Sequence, residues 1–97
     1  MLFLSDHQDQ PIYWNYLAWA TRRAVGIEKA FEILSQAADN FPEDAMTNFN
    51  VSCYLCQMGQ IDKAKDRVGE AIKLDGKFKI LAIDDSDLEP MRKECEL

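Results

Sequence analysis

The sequence predicts an all-α fold: antiparallel helix–turn–helix repeats closed by a short C-terminal capping helix. Three observations predict it. Residues 11–44, PIYWNYLAWATRRAVGIEKAFEILSQAADNFPED, align without a gap on residues 45–78, AMTNFNVSCYLCQMGQIDKAKDRVGEAIKLDGKF, at an offset of 34. Within each copy, apolar residues recur at the three- and four-residue spacing of one helix face. Each copy also has a glycine near its middle and a helix breaker near its end, Gly26 and Pro42 in the first, Gly59 and Gly76 in the second. A sustained period of this length marks units that bury their apolar faces only by stacking on one another.

The first helix, about 11–24, starts at Pro11, which suits a first helical turn, and stops before Gly26. Trp14, Leu17, Ala18 and Thr21 share one stripe of it. Trp19 lies roughly 140° from Trp14, with Ile12, Asn15, Arg22 and Arg23 on its side. The second helix, about 27–40, carries Ile27, Ala30, Phe31, Leu34, Ala37 and Ala38 at helical spacing, and Asn40, Phe41 and Pro42 end it. Small residues at Ala18, Ala30 and Ala37 let the two backbones approach, while Trp14 and Leu17 are expected to fill the space between them.

The second copy predicts helices over about 44–58 and 60–74, with boundaries good to about ±2–4 residues. Ile27 meets Ile61, Lys29 matches Lys63, Ala30 matches Ala64, Leu34 meets Val68 and Ala37 matches Ala71. Residues 79–97 begin a third unit and stop early. They predict one helix near 77–83 and a short last one near 87–94, with Asp87 as its N-cap. Residues 1–10 read as an N-terminal flank in which Leu2, Phe3 and Leu4 offer an apolar plug. The whole is one domain.

This pattern resembles the tetratricopeptide repeat, carried here by Trp14, Leu17, Ala18, Ala30, Leu34, Ala37 and Pro42. The second copy matches at Val51, Ser52, Gly59, Ala64, Val68 and Ala71. Departures are Thr21 for a tyrosine, Asn48 for the large aromatic, Gly76 for the proline, and a first turn glycine that comes one residue late. The resemblance implies that the second side of each first helix lines a concave groove for a peptide or partner protein. Its register places Ile12, Asn15, Trp19, Arg22, Arg23, Met46, Phe49, Cys53, Cys56 and Gln57 there. Asn50 matches one asparagine of the family's carboxylate clamp, but Asn15 stands where the clamp lysine belongs, so acidic-tail binding of that kind is not expected.

The residues themselves point to the same surface. Phe49, Cys53 and Cys56 form an apolar stripe opposite the core positions of the third helix, with Met46 close by. A helix apolar on both sides is buried on both sides or binds something. Either a partner fills this groove, with Arg22 and Arg23 guiding an acidic group at its edge, or the chain's own ends do.

Composition narrows the function classes. A net charge of −6, with no basic stripe, argues against a nucleic-acid partner. MLFL lacks a basic flank and is too short for a leader or a membrane span, so a cytoplasmic protein without membrane attachment is expected. His7 reads as a solvated residue, Asp84 and Asp85 as part of a cap, and there is no phosphate loop or nucleophile elbow. The chain is expected not to be an enzyme and to need no cofactor.

The pair in CYLC, Cys53 and Cys56, has helical i, i+3 spacing. A structural zinc would need about four ligands, leaving only His7 and Cys95 to supply them, and a mid-helix pair lacks the helix N-terminus that activates a redox thiol. Small apolar packing is the expected role. Two functions stay open: an adaptor that binds a peptide or protein in the groove, or a structural subunit of a larger assembly or homo-oligomer that uses the same apolar surface or the open array ends.

Overall fold

The computed structural model describes residues 8–94 of the 97-residue chain. The apolar plug expected at Leu2, Phe3 and Leu4, and the roles assigned to His7 and Cys95, lie outside the described residues. Among the described residues six helices follow in order: α1 (Pro11–Ala24), α2 (Ile27–Asn40), α3 (Ala45–Gln57), α4 (Ile61–Leu74), α5 (Phe78–Asp84) and α6 (Glu89–Glu94), with a 3-10 turn at Ser86–Leu88 before α6. Among the described residues there is no strand, and no helix is long and apolar enough to cross a membrane. Successive helices pack on one another, α1 on α2, α2 on α3 and α3 on α4.

The turns have local causes. Val25 N and Gly26 N both donate to Thr21 O, at 2.8 and 3.1 Å, and Gly26 takes a φ of 147° that a side chain would resist. At the second turn, Gln60 N reaches back to Leu55 O at 2.8 Å over Gly59, whose φ is 84°. Two residues separate α1 from α2 and three separate α3 from α4, which accounts for the offset turn glycines. Helix α3 is capped by Asp44, whose Oδ2 accepts from both Thr47 N (2.9 Å) and Thr47 Oγ1 (2.7 Å).

Positions 34 apart play matching parts. Ala18 and Ser52, Ala30 and Ala64, Leu34 and Val68, and Ala37 and Ala71 are all buried. Trp14 departs from expectation, for it is only half-buried. Ala18, Ala30 and Leu34 are fully buried at the α1–α2 seam. The indole instead lies edge-on to Tyr13, and its Nε1 donates to Gln8 O at 2.8 Å, in the chain just before α1. The last helix also starts differently. Asp85, not Asp87, is the cap, its Oδ1 accepting from Asp87 N at 2.9 Å, and a 3-10 turn precedes α6.

Candidate interaction groove

Nine of the thirteen residues of α3 are buried, so this helix has almost no free side. Phe49, Cys53 and Cys56, expected to line an open groove, are only 5%, 4% and 2% exposed. Over α3 the groove is closed by the chain's own C-terminal segment. Phe78 of α5 meets Phe49 with ring centroids 5.1 Å apart, and Leu88 and Met91 join the same apolar cluster. The sequence shows that the second face of α3 is apolar; what covers it arrives about three helices later.

A polar fastening holds that cover. Arg22 of α1 donates through both terminal nitrogens to the two Asp87 carboxylate oxygens, at 2.9 and 3.3 Å. Its guanidinium also lies 5.1 Å from the centre of the Tyr54 ring. The hydrogen bond to Asp87 raises the Arg22 pKa, so the cation is fixed. Gln57 Nε2 donates to the backbone carbonyl of Asp87 at 2.8 Å. Arg92 braces the segment from within, donating to Asp85 O (2.7 Å) and Ala82 O (2.9 Å). Of the arginine pair expected to guide a partner's acidic group, Arg22 is paired with a carboxylate of its own chain, and Arg23 lies over the Trp19 ring.

Burial pushes the Cys53 thiol far above its ordinary range, and the neighbouring Asp85 and Asp87 carboxylates add to the shift. Tyr54 and Cys56 are raised as well, burial being the largest cause in each. The ligand atoms of Cys53, Asp85 and Asp87 lie within 4.8 Å of one another. All three have other work: Asp87 binds Arg22, Asp85 caps the turn, and the Cys53 sulfur, buried beside the two carboxylates, keeps its proton.

Asn15 needs a second correction, because it is buried between α1 and α3 and lines no open groove. Its Nδ2 donates to Pro11 O and to Thr47 Oγ1, both at 2.9 Å, and its Oδ1 accepts from Asn50 Nδ2 at 2.6 Å. The asparagine that matched a clamp residue is thus spent inside the fold. Asn48, standing where the repeat pattern has an aromatic, is likewise buried and satisfied. Its Nδ2 donates to Pro42 O and Asp44 O, and its Oδ1 accepts from Arg67 Nη1 at 2.8 Å.

What stays open is the outer flank of α1. Ile12, Tyr16 and Trp19 are 61%, 52% and 52% exposed and follow one line at i, i+4 and i+7. The Tyr16 and Trp19 rings stack at 5.8 Å, and the Arg23 guanidinium sits 5.2 Å from the Trp19 ring centre. This stripe borders the fastening, for Trp19, Arg22, Arg23 and Asp87 line one shallow cleft. Met46 is also exposed. Tyr16 is not among the residues that the repeat register assigns to the groove, although it lies only about 60° from Trp19 on the helix. Asn15 and Arg22 lie on the opposite edge of the Trp19 direction, turned toward α3 and the cover, which separates the free half of the face from the used half.

No protein-family model matches the chain, and no match to a curated protein or to a solved structure was found.

Proposed function

We propose that this chain is a protein-interaction module, a pair of tetratricopeptide-like repeats that holds a partner protein or peptide along α1. The observation that carries the reading is the exposed Tyr16–Trp19 stack with Ile12 and Arg23, beside the cleft at Arg22 and Asp87. Aromatic residues and arginine are the types that most often carry binding energy, and contiguous exposed apolar surface is costly without a use. The matching of buried positions at an offset of 34 supports the repeat assignment. The acidic charge favours a protein over a nucleic acid, and the reading includes a cytoplasmic setting and no catalysis.

A second reading rests on α5. Ile80, Leu81 and Ile83 are exposed on a helix of seven residues, as the open end of an array would be. A structural subunit or homo-oligomer would use that end. Light scattering separates the two: a monomer favours the adaptor, a stable dimer the assembly. The adaptor is tested by recovering partners from the native host with wild-type chain and with Tyr16→Ser/Trp19→Ser, after circular dichroism shows that the variant is folded. Loss of the same partners is expected; equal recovery would remove the α1 stripe as the binding surface.

A further inference from the structure

The cover over α3 has the features of a bound ligand. Its contacts with the groove come in a short run: the Asp87 carboxylate on Arg22, the Asp87 carbonyl on Gln57, Leu88 fully buried, and Met91 buried one turn later. We propose that the groove over α3 is a receptor for a partner segment in which a carboxylate residue directly precedes leucine, with a second flexible apolar residue three positions on. Residues 87–91 are this chain's own stand-in for that segment. The inference rests on the reading of the chain as a protein-interaction module and names the chemistry of the partner.

Each contact selects something different. Two parallel bonds from a planar guanidinium demand a carboxylate, and the Tyr54 ring behind Arg22 keeps the fork in place. Gln57 reads a backbone carbonyl, which any residue supplies, so it adds hold without sequence preference. The leucine enters the apolar cluster that also holds Phe49, Cys53 and Cys56. Positive charge on the groove and negative charge on the segment make the pair complementary.

The stand-in is also held in a way that permits exchange. Helices α5 and α6 have seven and six residues, too few to persist alone, and α5 buries only Phe78 and Ala82. Helices α1–α4 have their own core in Ala18, Ala30, Leu34, Val51, Ala64 and Val68. Elements fastened by few contacts open first, and a ligand that needs the opened form binds more weakly by the fraction of chains that are open.

The test uses the full chain and, as probe, a fluorescently labelled synthetic peptide with the sequence of residues 83–93, IDDSDLEPMRK. The host variant Asp87→Lys/Leu88→Ser disables the stand-in while leaving the groove and the α1 stripe intact. Fluorescence anisotropy should show this variant binding the peptide at least about tenfold tighter than wild type. A second host, Arg22→Asp with Asp87→Asn/Leu88→Ser, offers its new carboxylate no cation of its own at position 87; it should lose binding of the parent peptide and prefer a peptide carrying Asp87→Arg. A folded host that ignores the peptide overturns the proposal. If the double variant does not fold, Asp87→Asn decides, since tighter peptide binding than wild type supports the proposal and no gain overturns it. A wild-type dimer that the peptide splits into monomers would make the occupant a second copy's segment, and overturns it too. Arg22 and Asp87 also line the cleft beside Trp19 and Arg23, so the readout tells the two failures apart: peptide anisotropy reports the groove over α3, and partner recovery with Tyr16→Ser/Trp19→Ser reports α1.

Discussion

Arg22 and Asp87, 65 residues apart in the chain, are joined by two hydrogen bonds that tie the first helix to the last turn. That pair and the Gln57 bond to the Asp87 carbonyl fasten the turn across α3, where Leu88 and Met91 are buried in the apolar cluster.

The strength of that tie is measurable. The two side chains are 29% and 31% exposed, so solvent screens part of the attraction. A double-mutant cycle of Arg22→Ala and Asp87→Ala should give a coupling of about 1 kcal/mol in urea melts, at the upper end for partly exposed pairs and smaller at high salt. Arg22→Lys should recover only part of it, because an ammonium cannot match both carboxylate oxygens. A coupling near zero would leave the apolar anchors and the Gln57 bond to the Asp87 carbonyl as the fastening.

The Asn15 amide predicts a pH-dependent defect. Its Nδ2 faces two acceptors, Pro11 O and Thr47 Oγ1, and the Thr47 hydroxyl proton is already given to Asp44. Asn15→Asp would turn a carboxylate oxygen toward both, near a second carboxylate. At neutral pH the cost should be about 3 kcal/mol, since the side chain would lose both donated bonds, keep only the one accepted from Asn50, and carry a buried charge that meets repulsion. Burial raises the new acid's pKa in the folded state, so the penalty is present at neutral pH and shrinks as pH falls through that raised value. Urea melts of variant and wild type at neutral and mildly acidic pH should show the gap narrowing; a constant gap would mean that the site is solvated.

Much of the fold was legible because its signals are local. Pro11, Gly26, Pro42 and Gly59 punctuate the helices where backbone chemistry requires, and the expected helices at 11–24 and 27–40 match Pro11–Ala24 and Ile27–Asn40. Helical angle groups Ile12, Trp19 and Arg23 on one side of α1, and it places Tyr16 there too, although Tyr16 is not among the expected site residues. The cover was not legible, because periodicity says that Phe49, Cys53 and Cys56 form an apolar face without saying what lies on it. Asp87 carries a sound local signal for a cap, yet its carboxylate goes to a partner in another helix, and Asp85 takes the local task. Asn15 looked like a surface amide because its partners Thr47 and Asn50 come from a different helix.

Trp14 and Leu34 should rank in the reverse of what residue size suggests. Leu34 is fully buried between helices, and Leu34→Ala should cost about 2–5 kcal/mol. Trp14 is half-buried and closes the start of α1 against Tyr13 and Gln8. Trp14→Ala should therefore cost less, about 1–2 kcal/mol, and Trp14→Phe should keep most of the packing while losing the Nε1 bond. Denaturant melts followed by circular dichroism give the order directly. A larger loss at Trp14 would put the indole inside the seam after all.

The thiols of α3 should report both the pH limit of the fold and the opening of its cover. Cys53 and Cys56 are buried and their pKa values are raised above the ordinary 9.0, chiefly by burial. In the unfolded chain both ionise near that ordinary value, while the folded chain keeps the protons. Stability is thus full below about pH 9 and falls above it, as the unfolded state sheds protons that the folded state retains. Tyr54, raised from 10.0 for the same main reason, extends the fall at higher pH. Cys53→Ala should flatten the alkaline slope relative to wild type. The attacking form of a thiol is the thiolate, so in the native state Cys53 should alkylate far more slowly than a model thiol at the same pH. Site-resolved mass spectrometry should show that rate rising in Arg22→Gln, which frees the Asp87 carboxylate and lets the turn lift from α3 more often. Loss of the cation by itself would instead favour the protonated thiol and slow the reaction. An unchanged rate in that variant, with α1–α4 still folded, would show that the tie between Arg22 and Asp87 does not hold the cover down.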